Sequence, residues 1–145
     1  HTLLKFRPIY GGGGIIPDIL VPLEDSIYTN TLYRKIIEGG YLQQLAIDYV
    51  EYYKSERKHF LTMEQFIEDS ESNLCLLDAL YSNLEQAGVD VEECDKSICS
   101  THLLTQLKAL ISQYIWGQEA FYQVMNRIDP VVLKAIDVLN KPIFE

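Results

Sequence analysis

The chain has 145 residues, of which 48% are hydrophobic and 23% charged, and it carries a net charge of −9 at pH 7. That length and apolar content are enough for one hydrophobic core without disulfide staples, and they exclude a disordered tail. The acidic balance, with 12 basic residues scattered rather than clustered, argues against a nucleic-acid partner, and no apolar run approaches the ~20 residues of a membrane span, so a soluble domain is expected.

The first stretch, residues 1–23, differs from everything after it. Its apolar residues are β-branched or aromatic (Ile9, Tyr10, Ile15, Ile16, Ile19, Val21), interrupted by Pro8, Pro17 and Pro22 and by four glycines, Gly11 to Gly14. Such a composition predicts short strands and turns. Two or three short strands make no stable sheet alone, so this segment is expected to complete a sheet supplied by other polypeptide. An opening residue of His rather than Met fits a chain whose preceding part has been removed.

From Asn30 the apolar period becomes helical. Thr29 or Asn30 is placed to cap a helix through Leu32, Tyr33, Ile36 and Ile37, which Gly39-Gly40 stops. The next helix sets Leu42, Leu45, Ala46, Tyr49 and Tyr53 on one face and Asp48, Glu51, Lys54, Arg57 and Lys58 on the other. Thr62 and Gln65 have the spacing of a capping box ahead of Phe66 and Ile67. The polar cluster Asp69 to Asn73 then introduces a helix with Leu74, Leu77, Leu80 or Tyr81, and Leu84, ended by Gly88.

Asp90 is expected to cap the longest element, a single helix from Val91 to about Arg127, roughly 50 Å long at ~1.5 Å per residue. Its apolar row runs Leu103, Leu107, Leu110, Tyr114, Phe121, Val124 or Met125, and Ile128. Gly117 interrupts that row at a cost of about 1 kcal/mol; close approach of another helix is the expected reason, a kink the alternative. Asp129-Pro130 ends this helix and starts the last, whose apolar face is Val132, Leu133, Ile136 and Leu139. The fold class is therefore mainly α, a multi-helix bundle preceded by a short irregular β segment.

Few patterns carry chemistry. Cys75, Cys94 and Cys99 are odd in number and contain no C-x-x-C, so neither a disulfide framework nor a zinc ribbon is signalled, and their redox state stays open. Cys94, Cys99 and His102 would all lie on one helix without a fourth ligand, which makes a tetrahedral metal site a poor reading. Small buried apolar residues account for Cys75 and for Cys94 or Cys99 more simply. Gly11 to Gly14 could form an anion-binding nest, but no Gly-Lys-Ser/Thr follows and no helix begins there, so a tight turn at a sheet margin is preferred.

Ser55 and Lys58 match S-x-x-K on the charged side of a helix, with no companion S-D-N or K-T-G. His59 complements the end of that helix. Glu64, Glu68, Asp69 and Glu71 lack the glycine-pivoted loop of a calcium site. The tyrosines Tyr41, Tyr49, Tyr52, Tyr53, Tyr81, Tyr114 and Tyr122 suit half-buried seams between helices. No catalytic, cofactor-binding or metal-ligating residue is assigned, and no cofactor is expected.

The segment Arg7-Pro8-Ile9-Tyr10-Gly11-Gly12-Gly13-Gly14-Ile15-Ile16-Pro17-Asp18-Ile19 resembles the stretch just after the catalytic region of the carboxyl-terminal-processing (tail-specific) serine peptidases, especially the envelope enzymes of Bacteroidetes. Ser97 to Gly117, with Gln106-Leu107-Lys108-Ala109-Leu110-Ile111 and Ile115-Trp116-Gly117, is similar to the helical tail that follows in those proteins. The resemblance implies a parent serine endopeptidase with a serine nucleophile, a lysine base and a PDZ-type domain that grips substrate C-termini. Both catalytic residues would fall upstream of His1, and no position here matches them.

Together these readings divide the chain into residues 1–26, the terminal strands of an upstream protease core, and residues 27–145, a C-terminal helical domain. The expected function is non-catalytic: support of the core, self-association as a homo-oligomer, or regulation, in the periplasm or cell envelope. Protein or peptide substrates would be engaged through the upstream domains. A free-standing helical interaction module is the alternative from a different class.

Overall fold

The computed structural model describes residues 17, 19–22, 25–55 and 62–141, with only the backbone of residues 25, 26, 55, 70–72, 93 and 94. Eight helices lie among them: α1 (Asp25–Tyr28), α2 (Thr31–Glu38), α3 (Tyr41–Ser55), α4 (Met63–Glu68), α5 (Ser70–Gln86), α6 (Glu93–Trp116), α7 (Gln118–Met125) and α8 (Pro130–Leu139). The described residues hold no strand, so the chain is mainly α. Most of the expected β segment, including Gly11 to Gly14, lies outside the described residues; Pro17 and residues 19–22 have no regular structure, and Leu20 is 81% exposed.

The helix boundaries follow local chemistry. Asn30 Oδ1 accepts from the Tyr33 N–H (3.0 Å) and caps α2, and Gly40 (φ 70°) turns the chain into α3. Thr62 and Gln65 form the reciprocal capping box on α4, through bonds of 3.2 and 3.3 Å. Gly88 (φ 74°) ends α5 in a Schellman arrangement: its N–H donates to Glu85 O and that of Val89 to Leu84 O. Asp129 Oδ1 accepts from the N–H groups of Val131 (2.8 Å) and Val132 (3.2 Å), ahead of Pro130 in the first turn of α8.

Two boundaries depart from expectation. α6 starts at Glu93 with Glu92 as its unassisted N-cap, so Asp90 is not the cap. The single long helix is two, because Gly117 adopts φ 96°, ψ 179° and separates α6 from α7. A Cβ at Gly117 would meet nothing within 4 Å. Close helix approach is therefore not why glycine stands there; the left-handed backbone is.

The core is organised around α6, whose 24 residues span about 36 Å. Cys99, Leu103, Leu107 and Ile111, one turn apart along this helix, are fully buried. They meet Leu32, Tyr33 and Ile36 of α2, Leu42, Leu45, Ala46 and Val50 of α3, Phe66 of α4, and Leu76, Leu80 and Leu84 of α5 in one cluster. On α5 the buried row is thus Leu76, Leu80 and Leu84, while Leu74 is 67% exposed. The row that begins at Leu74 is corrected to one that begins at Leu76.

Polar groups on α6 fasten its neighbours. Asn30 Nδ2 donates to Asp95 Oδ1 (2.7 Å) and Gln106 Nε2 to Tyr33 Oη (2.6 Å), tying the start of α2 to two separate places along α6. Tyr81 of α5 shares a 2.9 Å hydrogen bond with Ser100, and Lys96 lies 5.2 Å from the centre of the Tyr81 ring. Such part-buried pairs fix register more than they add stability.

Candidate functional site

α8 is anomalous. Val131, Val132, Leu133, Ala135, Ile136, Val138 and Leu139 cover about two thirds of its circumference at ~100° per residue, and Lys134, Asp137 and Lys141 occupy the remainder. A helix apolar over so wide an arc belongs inside a protein. Here it has no buried residue: Val131 is 57% exposed, Leu133 48%, Ile136 50% and Leu139 71%. The expected apolar face thus exists, but the core formed by the described residues does not include it.

Beside α8 runs an open groove of ≈ 570 Å³. Val132, Leu133 and Ile136 form its apolar side, Met63 and Glu64 of α4 one wall, and Gln123, Asn126 and Arg127 at the end of α7 the other. Between residues 118 and 141 three acids (Glu119, Asp129, Asp137) balance three bases (Arg127, Lys134, Lys141), so this region carries none of the net charge of −9. Lys134 and Lys141 both reach Asp137 Oδ2, at 3.3 and 2.8 Å, and hold its carboxyl below the usual carboxylate range. The surface is therefore apolar, locally neutral and large enough to receive a protein segment.

A second feature lies under α4. Lys108 of α6 is only 3% exposed, yet its Nζ donates to the carbonyl oxygens of Phe66 and Ile67, each at 2.8 Å. These belong to the last turn of α4, where free carbonyls and the helix dipole favour a cation. The nitrogen also sits 4.9 Å from the centre of the Phe66 ring, which packs against Trp116 and Tyr49 with ring centres 6.0 and 6.1 Å away. Burial pushes Lys108 down to about 8, with Asp69 raising it and Arg127 lowering it.

Ser112, one turn beyond Lys108, is fully buried, and its Oγ makes no hydrogen bond among the described residues. A serine and a lysine do share a helix face in this chain. They make no nucleophile and base, because no substrate can reach Ser112 and the lysine nitrogen is committed to two carbonyls.

The residues weighed from sequence scatter. Cys99 is fully buried and Cys75 exposed on α5, which corrects the reading of Cys75 as a buried apolar residue. The Cys94 side chain, His59, Lys58 and the side chains of Ser55 and Glu71 lie outside the described residues. Glu64 and Glu68 are exposed on α4, and Asp69 is half-buried at the α4–α5 junction. No group of three or more potential metal ligands converges among the described residues, and no described helix is long and apolar enough to cross a membrane. Lys108 was the residue sequence reasoning missed; its only signal was a lone cation inside the apolar run Leu107 to Ile111.

A family of unknown function, DUF8443, matches residues 32–117. The chain belongs to this family. The DUF8443 segment runs from α2 to the glycine that ends α6, so it contains most of the core and Lys108 but stops short of α7 and α8. No curated protein and no solved structure matches the chain.

Proposed function

We propose that the chain is the non-catalytic helical domain of a tail-specific serine endopeptidase of the cell envelope, and that it docks on its protein partner through α8. The observation that carries the docking role is a ten-residue helix, apolar over most of its surface, whose side chains are exposed or at most half-buried among the described residues. The peptidase assignment is supported by the resemblance of Arg7 to Ile19 and of Ser97 to Gly117. The partner under this reading is the catalytic core of the same polypeptide, which would also supply the serine, the lysine and the substrate-gripping domain. The domain would then support that core, and self-association through the same face remains part of the proposal. Proteolysis of protein or peptide substrates belongs to the parent.

One observation favours the free-standing module instead: the DUF8443 match takes in Ser97 to Gly117 but leaves out residues 7–19, the first of the two stretches that carry the resemblance. Both readings share α8 as the contact face. The test is a double substitution, Val131→Asp with Leu139→Asp, in the full-length protein. Peptide cleavage or thermal stability of the assembly should fall severalfold while the helix content of residues 25–141 is kept. Unchanged cleavage, stability and assembly would dispose of the docking role. A full-length protein that docks through α8 but cleaves no peptide would leave the free-standing module.

A further inference from the structure

We propose that Lys108 is a titratable clasp that holds α4 against α6, and that α4 is docked least firmly near neutral pH. The inference does not depend on the peptidase reading. α4 has six residues, too few to be stable without tertiary support. Its capping box is local and fixes only its own first turn. What joins α4 to α6 is the fully buried Phe66 and the pair of hydrogen bonds from Lys108 to Phe66 O and Ile67 O.

The two carbonyls need two N–H donors. A neutral amine has two; an ammonium has three, and the third is left to the Phe66 ring face, a weaker partner than an oxygen. The charge therefore brings a desolvation cost that the carbonyls, the dipole of α4 and the ring face offset only in part. The charged groups that act on Lys108, Asp69 at the end of α4 and Arg127 beyond α7, oppose one another. From α3 the titratable neighbour is the Tyr49 phenol, whose ring packs on Phe66.

With α4 docked the lysine titrates at about 8, and with α4 released it returns to its ordinary 10.5. The released state thus holds the proton more tightly between those values, so protonation favours release and rising pH favours docking. Below pH 8 the lysine is charged in both states and docking is insensitive to pH. Release takes Met63 and Glu64 away with α4 and removes one wall of the groove beside α8.

The experiment is cleavage of the 145-residue chain by subtilisin within residues 62–69, at pH 7 to 9.5, each rate divided by that of an unstructured peptide of the same residues. When opening is fast relative to cleavage this ratio tracks the released fraction. The ratio should fall roughly thirtyfold from pH 7 to 9.5, and Lys108→Arg, which keeps its charge throughout, should abolish the fall. A flat or rising profile in the natural chain overturns the proposal, and so does an equal fall in Lys108→Arg. Should the arginine variant not fold, the profile of the natural chain decides alone.

Discussion

Burial separates the two described cysteines, and their reactivity should follow it. Cys75 is exposed on α5, whereas Cys99 lies in the core, where burial and then the nearby Asp95 push its thiol up. Peptide-mapped alkylation at pH 7.5 should label Cys75 on the order of a hundred times faster than Cys99, because a buried thiol reacts only on opening. Equal rates would mean the α5–α6 core is not closed. The leucines of α5 make a sharper contrast. Leu80→Ala should cost about 2–5 kcal/mol in urea unfolding, while Leu74→Ala, at an exposed position, should stay within about 0.5 kcal/mol. A reversed order would mean that Leu74 rather than Leu80 faces the core. Above pH 9 global stability is a poor monitor of Lys108. Cys99 and Tyr33 both titrate higher in the fold, so each contributes stability that is full below its unfolded value and fades as pH rises through the folded one, against the sign of Lys108.

At the scale of elements, the junction between α6 and α7 and the position of α8 decide what the molecule presents. Gly117→Ala would place a side chain at φ 96°, a strain of about 1–3 kcal/mol for a non-glycine residue. Because nothing crowds that site, the loss in urea stability should come from backbone alone, and Gly117→Asn should lose about as much, since ψ 179° lies outside the left-handed helical region that asparagine tolerates. A much larger loss for asparagine than for alanine would mean that packing rather than conformation sets the position. α7 turns Ala120 (5% exposed) and Val124 (2%) inward and packs closely against α6. α8, beyond Asp129 and Pro130, has no such support. Substituting its exposed leucines should therefore leave folding of the isolated chain nearly unchanged, and a loss of several kcal/mol in monomer stability for Leu139→Asp would show that α8 is core after all.

For the whole molecule, most helices could be read in advance because their signals are local. Asn30, Thr62-Gln65, Gly88 and Asp129-Pro130 each satisfy or terminate backbone groups within a few residues, so sequence alone places them. The bundle class followed from the 3.6-residue period and the apolar content. Sequence did not reveal how the row on α5 begins, since Leu74, Leu77, Leu80 or Tyr81, and Leu84 fit helical spacing as well as Leu76, Leu80 and Leu84 do. It assigned α8 an apolar face without saying what lies against it, because periodicity states that a face is apolar but not whether anything in the same chain covers it. The burial of Lys108 was likewise invisible: a lysine's nearest neighbours in sequence say nothing of a helix end arriving from 42 residues away. Sequence by itself thus determined the elements, their caps and the acidic balance, which depend on contacts between near neighbours and on composition. The tertiary structure alone decided that Gly117 divides the long helix, that a buried lysine holds α4, and that the described residues leave α8 exposed, because each depends on what distant segments bring, or fail to bring, to the same place.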